Sequence, residues 1–147
     1  MGSLTFPESS RVYVDAQILI YTVERFPKYF DVVLPLWQAS RDSQLEVVTS
    51  ELSILEVMTG PIKTGNQHLI EAYEGLVMGT EIRLIPIDTQ VLMDAARLRA
   101  ETSLRTPDAI HVATAILAGC ETLVTNDLAF RSVNAINVQI LKDIVEA

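Results

Sequence analysis

The chain has 147 residues, of which 49% are hydrophobic, and a formal net charge of −8 at pH 7. This length is enough for one domain with a sizeable core, and the hydrophobic fraction argues against a disordered chain. The negative charge argues against a broad basic surface for nucleic acid, although a bound metal ion can reverse the charge locally.

Cysteine content and hydropathy indicate the compartment. Cys120 is the single cysteine, which excludes an internal disulfide and fits a reducing cytoplasm. The first residues lack the basic region and the long apolar run of a signal peptide, and no apolar segment is long enough to span a bilayer. We therefore predict a cytoplasmic protein without membrane contact, with one domain over residues 1–147 and a flexible arm over residues 1–10.

Short apolar runs alternate with amphipathic stretches along the first half of the chain. A β-rich run predicts a strand that ends at Asp15. Ser50 is a typical helix N-cap, and the pair Gly60-Pro61 indicates a helix stop. In order, we expect a strand at 11–14, a helix at 18–22 that breaks near Pro27, a helix at 29–42 that Pro35 can kink, a strand at 45–49, a helix from Ser50 to Gly60-Pro61 and a helix at 66–78.

The second half continues the same alternation. Asp88 is an N-cap residue, and Thr106 caps a further helix whose first position is taken by Pro107, where the missing N–H loses no hydrogen bond. Gly119 is a typical residue just past a helix end. In order, we expect a strand at 82–87, a helix from 88 to 101, a helix from 106 that Gly119 stops, a strand at 122–124 and an edge strand at 137–141.

This alternation predicts an α/β fold. Short apolar strands that alternate with amphipathic helices favour a mostly parallel sheet covered by helices on both faces. The carboxyl ends of such strands lie along one edge of the sheet, and ligands of open α/β sheets bind outside that edge. We therefore expect the functional residues there.

Four acidic residues are predicted to lie near this edge. Asp15 directly follows the first strand, and Asp127 follows the fourth. Glu56 lies on the helix after the second strand, and Asp108 lies in the first turn of the helix before the fourth. Carboxylates that share a site repel one another, so at neutral pH they need protons or cations. Such oxygen ligands suit Mg²⁺ or Mn²⁺, which can activate water and neutralise the charge of a phosphodiester.

Each acid also has a purely structural interpretation. Asp15 is able to cap the following helix, Asp108 to complement a helix dipole, and Asp127 to serve as a turn residue. Glu56 fits a solvated helix face, although its neighbours in the sequence are apolar. Glu51 is an alternative candidate for the role of Glu56, because it lies in the first turn after the same strand. Its structural interpretation is that it forms part of the helix cap. The residues alone leave both interpretations open.

The segments around these acids resemble the PIN-domain family, and most closely its VapC-type toxins from prokaryotic toxin–antitoxin pairs. The resemblance spreads over nearly the whole chain, and its segments stand in the family's order. The two segments around Asp108 and Asp127 are the most specific. The segments are VYVDAQILIY around Asp15, TSELSILEVM around Glu56, RTPDAIHVATAI around Asp108 and LVTNDLAF around Asp127.

The resemblance implies a PIN-like three-layer α/β/α sandwich with a mostly parallel sheet. It also implies Mg²⁺- or Mn²⁺-dependent endoribonuclease activity, in which RNA phosphodiesters are cleaved by metal-activated water. The implied biological role is the toxin of a type II pair, with RNA as substrate, a cognate antitoxin as partner, and a homodimer as the expected assembly. The residues that match the family's metal-binding and catalytic positions are Asp15, Glu56, Asp108 and Asp127.

Two positions after the first acid depart from the family pattern. The family commonly has a small hydroxyl residue and then Asn or Ser there, where this chain has Ala16 and Gln17. This departure motivates an alternative, a catalytically weak or inactive PIN module that binds protein. A third interpretation is a phosphatase with Asp15 as nucleophile, but the sequence offers no convincing Lys, Ser or Thr to hold phosphate.

Several other polar residues lie near the predicted site. Thr125 and Asn126 match the family's polar positions beside the last acid. His111 shares a helix face with Asp108, where a hydrogen-bonded, partly buried histidine is favoured over one that assists a metal-bound water. For the arginines that flank the acidic segments, a solvated surface position is favoured over contact with RNA phosphates. These arginines are Arg99, Arg105 and Arg131.

Overall fold

The computed structural model describes residues 2–146, which form a five-stranded sheet with helices on both faces. The alternation of strands and helices follows the sequence pattern. The strands are β1 (Ser10–Val14), β2 (Leu45–Ser50), β3 (Ile82–Ile85), β4 (Thr122–Thr125) and β5 (Asn137–Ile140). The helices are α1 (Ala16–Val23), α2 (Phe30–Arg41), α3 (Leu52–Thr64), α4 (Gln67–Val77), α5 (Thr89–Glu101), α6 (Thr106–Leu117) and α7 (Leu141–Glu146), and a 3₁₀ helix covers Leu128–Ser132.

The sheet has the strand order β3-β2-β1-β4-β5, and every pair of neighbours is parallel. From β1 the chain adds β2 and β3 on one side, and it then returns to add β4 and β5 on the other. The direction of strand addition therefore reverses between β1 and β4, and at such a point a crevice opens at the carboxyl ends of the strands. The prediction of an edge strand at β5 is confirmed.

The two faces of the sheet are covered by different helices. Side chains point to opposite faces along a strand, and in β1 Val12 and Val14 pack in one hydrophobic cluster with residues of α1, α2, α3 and α4. Tyr13 packs in the other cluster, with residues of α5 and α6. The predicted three-layer α/β/α sandwich around a parallel sheet is therefore confirmed.

Helix α3 differs from its prediction at both ends. It runs through Gly60 and Pro61, so the predicted stop there is wrong. A proline disfavours helical backbone in the preceding residue partly through that residue's Cβ atom, which Gly60 lacks. The helix ends instead at Gly65, whose φ of 68° is left-handed. At its start, Glu51 occupies the cap position and is exposed, although Ser50 Oγ accepts a hydrogen bond from the amide of Leu52 at 3.0 Å.

Helix α6 begins one residue earlier than predicted. Thr106 is its first helical residue and not its cap, and Arg105 occupies the cap position without a side-chain hydrogen bond. Asp108 lies in the first turn, as predicted. Gly119 follows the helix with a φ of 73°, which is consistent with the predicted stop.

The chain ends contain features that the pattern does not predict. The 3₁₀ helix and α7 are too short to give a recognisable period. The segment 2–9 has no helix or strand, and the amide of Gly2 donates to the carbonyl of Ile144 at 3.1 Å. The side chain of Gln139 bonds to both the amide and the carbonyl of Thr5, and Ser10 lies in β1. The flexibility of this arm stays a prediction.

None of the helices within residues 2–146 combines the length and the hydrophobicity that crossing a bilayer requires.

Candidate active site

Polar side chains lie at the carboxyl ends of β1 and β4, where the direction of strand addition reverses, and we call this position the switch crevice. Asp15 follows β1, Thr125 ends β4, and Asn126 comes next. Thr125 Oγ1 donates a hydrogen bond to Asp15 Oδ2 at 2.5 Å, which joins the carboxyl ends of the two strands. All three residues are less than a tenth exposed. The edge predicted to hold the functional residues therefore contains a buried polar junction.

Asp15 is buried although it carries a carboxylate. Its Oδ1 accepts a hydrogen bond from the amide of Ile18 at 3.3 Å, so it caps α1 as the structural interpretation predicts. Burial raises the pKa of Asp15 above the ordinary value of 3.8, and the negative charge of Glu56 raises it further. Nearby His111 and the hydrogen bond from Thr125 lower it. A helix cap alone does not require a carboxylate to be buried beside another acid.

Glu56 lies in the second turn of α3 and contacts a buried histidine. His111 Nε2 lies 2.6 Å from Glu56 Oε1, and His111 is only 2% exposed. The Nδ1 atom of the same ring lies 2.5 Å from the hydroxyl oxygen of Tyr13, which also accepts a hydrogen bond from the amide of Ser50 at 3.1 Å. The interpretation of His111 as a hydrogen-bonded residue is confirmed, and the ring is more deeply buried than the partial burial predicted. The side chain of Glu56 is 29% exposed, so a fully solvated face does not describe it.

Asp108 is half-buried and is influenced by several charges. Burial raises its pKa above 3.8, and the negative charge of Asp127 is the next largest cause. Glu56 also raises the pKa of Asp108, whereas His111 and Arg105 lower it. Complementing the dipole of α6 does not require other acids nearby, yet the charges of two other acids act on Asp108.

Asn126 and Asp127 shape the end of β4. Asn126 Nδ2 donates to the hydroxyl of Tyr21 at 2.9 Å, and its Oδ1 accepts from the amide of Lys142 at 2.8 Å. Asp127 is exposed, and its Oδ1 accepts from the amide of Ala129 at 2.9 Å to cap the 3₁₀ helix. Asp127 therefore has the predicted turn role. Its Oδ2 atom does not take part in this cap.

The four predicted acids belong to one electrostatically connected group. Glu56 raises the pKa of both Asp15 and Asp108, and Asp127 raises that of Asp108. In the described chain, residues 2–146, no three His, Cys, Asp or Glu side chains are close enough together to hold one metal ion. The donor chemistry nevertheless fits a divalent cation, because carboxylate oxygens suit Mg²⁺ and Mn²⁺ and a cation relieves their repulsion.

The three flanking arginines have different surroundings. Arg131 forms an ion pair with Asp143, and Arg99 Nε donates to a backbone carbonyl at 3.3 Å. Arg105 is exposed at the start of α6, close enough to Asp108 to lower its pKa. Arg105 is therefore an arginine whose charge acts on an acid of this site.

Sequence reasoning missed Tyr13. Tyr13 lies in β1, within the predicted strand, and it is fully buried. The missed part is its hydroxyl, which contacts His111 and Ser50. A buried tyrosine hydroxyl needs a hydrogen-bond partner, and that requirement was the available signal.

Residues 12–136 match the family model of the PIN domain. The chain belongs to the PIN domain family. The match contains all four acids, and it confirms the family resemblance of the segments around them. No curated protein matches the chain.

Solved structures of toxin–antitoxin proteins share the fold. The DNA-bound VapBC of Salmonella typhimurium has a TM-score of 0.71 at 19% identity, covering 90% of this chain and 98% of that one. A toxin–antitoxin complex from Klebsiella pneumoniae has a TM-score of 0.67 at 25% identity, covering 85% and 94%. Mycobacterium tuberculosis VapC20, described as a sarcin–ricin loop cleaving toxin, has a TM-score of 0.63 at 16% identity, covering 76% and 86%. This chain therefore shares its fold with proteins of toxin–antitoxin pairs.

Proposed function

We propose that this chain is a divalent-metal-dependent endoribonuclease and the toxin of a type II toxin–antitoxin pair. The observation that carries the proposal is the electrostatic connection of four carboxylates, in which the charge of Glu56 raises the pKa values of Asp15 and Asp108 and the charge of Asp127 raises that of Asp108. Mutually repelling carboxylates at a ligand-binding position favour a cation site over a structural role. Membership of the PIN domain family supports a nuclease.

The residues of the switch crevice would hold and prepare the metal site. When bound, Mg²⁺ or Mn²⁺ supplies activation of water and neutralisation of phosphodiester charge. Thr125 fixes one oxygen of Asp15, and His111 fixes one oxygen of Glu56. Arg105 is exposed beside this group, where a guanidinium can bind an RNA phosphate. The residues that would bind the metal are Asp15, Glu56, Asp108 and Asp127.

The partners follow from the family and from the charge. VapC20 is described as cleaving the sarcin–ricin loop, and other structural relatives are toxin–antitoxin complexes. We extend these properties to this chain, with RNA as substrate, a cognate antitoxin, a homodimer and a cytoplasmic location. Because the chain carries a net charge of −8, we expect RNA affinity to depend on the metal and on a few local arginines.

RNA cleavage by the wild type and by Asp15→Ala tests the proposal. Both proteins are incubated with single-stranded and structured RNA, in Mn²⁺ or in EDTA. We expect cleavage by the wild type with Mn²⁺ and none in EDTA or by the variant. Equal cleavage by Asp15→Ala, or cleavage that persists in EDTA, contradicts the assignment of this site.

A second candidate is a PIN module without strong catalysis that acts by binding protein. Ala16 offers no hydroxyl after the first acid, and in residues 2–146 no three acidic or histidine side chains are placed to hold one ion. Against this candidate, Thr125 supplies Asp15 with a hydroxyl hydrogen bond from another strand. A wild-type protein that binds its antitoxin tightly but neither binds Mn²⁺ nor cleaves RNA favours this second function.

A further inference from the structure

A series of hydrogen bonds runs from β2 to Glu56 through two buried side chains. The amide of Ser50 donates to Tyr13 Oη at 3.1 Å, and Tyr13 Oη lies 2.5 Å from His111 Nδ1. His111 Nε2 lies 2.6 Å from Glu56 Oε1. The four residues come from β2, β1, α6 and α3, so the series connects the sheet to two helices.

The direction of these bonds follows from the amide of Ser50, which can only donate. Because the oxygen of Tyr13 accepts this bond, its own proton is available to His111 Nδ1. With Nδ1 as the acceptor, a neutral imidazole carries its proton on Nε2 and presents it to Glu56. A protonated imidazole also carries a proton on Nε2. Glu56 therefore receives a hydrogen bond from His111 in either state.

We propose that Tyr13 and His111 are positioning residues that hold Glu56 ready to bind the divalent cation, an inference that rests on the proposed function. Across residues 2–146, the bond to His111 is the one side-chain hydrogen bond that Glu56 makes. It fixes Oε1 and leaves Oε2 free to bind a cation. Partners that orient a metal-binding side chain increase metal affinity, because the side chain loses less freedom on binding.

The role of Tyr13 is to fix the ring of His111. Its hydroxyl selects the imidazole state with a proton on Nε2, and the amide of Ser50 fixes the hydroxyl in turn. Without that hydroxyl, a neutral ring is free to carry its proton on Nδ1, and Nε2 then presents a lone pair to the carboxylate. Removing one oxygen atom from Tyr13 should therefore weaken a site that Tyr13 does not itself touch.

A pair of tyrosine variants tests this inference, Tyr13→Phe and its matched control Tyr73→Phe. Tyr73 is also fully buried, and its hydroxyl donates to Glu24 Oε2 at 2.5 Å, outside the switch crevice. Mn²⁺ affinity is measured by electron paramagnetic resonance of free Mn²⁺, on the full chain without RNA. We expect Tyr13→Phe to weaken Mn²⁺ binding about tenfold, and Tyr73→Phe to leave it unchanged. Thermal unfolding of both variants shows that each is folded at the assay temperature.

A pair of histidine variants separates positioning from packing. The side-chain amide of Gln can donate to Glu56 in place of Nε2, whereas Leu fills space without donating. We expect His111→Gln to retain more Mn²⁺ affinity than His111→Leu, with His111→Leu weaker than the wild type by about ten- to a hundredfold. Equal losses in both variants would assign His111 a packing role only.

The imidazole spectrum gives a readout that needs no metal. The chain has two histidines, so long-range ¹H–¹⁵N spectra resolve His111 once His68 is assigned with a His68→Gln sample. We expect a protonated Nε2 in the metal-free wild type and a mixture of tautomers in Tyr13→Phe.

The outcomes distinguish this inference from the proposed function. If Tyr13→Phe binds Mn²⁺ as tightly as Tyr73→Phe, the positioning role is wrong, while a wild type that cleaves RNA with Mn²⁺ leaves the nuclease proposal intact. A His111 ring that carries its proton on Nδ1 in the wild type also overturns the positioning role. A wild type that binds no Mn²⁺ rejects the proposed function, and the inference with it.

Discussion

The two edges of the central sheet, at the amino and carboxyl ends of its strands, place acidic side chains in opposite environments. At the amino-terminal edge, Glu46 of β2 lies between Arg11 of β1 and Arg83 of β3, with N···O distances of 3.3 and 3.4 Å. These three side chains are about half exposed, so solvent screens their attraction. At the carboxyl-terminal edge, Asp15 is buried, and its hydrogen-bond donors are the uncharged Thr125 hydroxyl and a backbone amide.

This difference separates an acid in an ordinary surface environment from the acid that we propose to be functional. An exposed acid between two arginines fits an ordinary protein surface. A buried acid near other acids costs free energy, and such groups concentrate at functional sites. Glu46 lies near the start of β2 and Asp15 directly follows β1, so two acids of neighbouring strands are distinguished by their environments and not by their residue class.

The largest effect should come from removing the charge of Asp15 at the carboxyl-terminal edge. We expect Asp15→Asn to lower RNA cleavage by about a thousandfold, because a bound ion contributes several kcal/mol to catalysis and each 1.4 kcal/mol is about tenfold in rate. Asn keeps the size of Asp and can still cap α1. Cleavage rates in saturating Mn²⁺ measure the effect.

The matched control for this prediction is Glu46→Gln at the opposite edge. It also removes one carboxylate from a strand of the sheet, and we expect its cleavage rate to equal that of the wild type. Comparable losses in both variants would mean that overall charge, and not the switch crevice, controls activity.

Metal binding should stabilise the protein through the carboxyl-terminal edge alone. A ligand that binds the folded state at about a hundred times its dissociation constant contributes about 2.7 kcal/mol to the free energy of unfolding. We expect Mn²⁺ to raise the melting temperature of the wild type and of Glu46→Gln, but not that of Asp15→Asn. Differential scanning calorimetry with and without Mn²⁺ measures this change in melting temperature, and Mg²⁺ serves as a second cation. An equal rise in all three proteins would place the bound ion elsewhere.

The sequence predicts the two edges unequally well. The strands and their order along the chain follow from apolar runs, and the positions of Asp15 and Asp127 at strand ends follow directly from them. The exposure of these acids does not follow, because it depends on which elements pack against the carboxyl ends of β1 and β4. Asp15 is buried and Asp127 is exposed, although both follow a strand by one or two residues.

Contacts across the sequence are what local patterns cannot give. His111 and Glu56 are 55 positions apart, and Tyr13 and His111 are 98 apart. The apolar periodicity of α6 does not reveal which residue contacts His111. That partner is determined by how α3 and α6 pack on the sheet. The predicted helix stop at Gly60 and Pro61 is wrong for a different reason. A proline disfavours helical backbone in the preceding residue less strongly when that residue has no Cβ atom.

The pH dependence of stability should also differ between the edges. In EDTA, Asp15 and Asp108 have pKa values above their ordinary value of 3.8, mainly because of burial. The folded state then binds more protons than the unfolded state, so their contribution to stability falls as the pH rises from about 3.8 through the raised pKa values. Asp15→Asn removes one such contribution. We expect its free energy of unfolding to exceed that of the wild type at neutral pH, with a smaller difference near pH 4.

Urea unfolding at a series of pH values, with EDTA present throughout, measures this difference. Glu46→Gln should show no such gain on raising the pH, because Glu46 is exposed between two arginines. A wild type and an Asp15→Asn variant with parallel pH profiles would show that burial does not penalise the carboxylate of Asp15.

The smallest effect should come from the amino-terminal edge itself. Exposed ion pairs contribute about 0.2 to 1 kcal/mol, so Glu46→Gln should lower the free energy of unfolding by less than about 1 kcal/mol. The loss should vanish in about 1 M salt, where the Debye length of about 3 Å screens charges at the distances seen here. Urea unfolding of the wild type and the variant at low and high salt measures it. A loss of several kcal/mol that persists in high salt would show that Glu46 acts through packing, and the two edges would then differ less in kind than their exposure indicates.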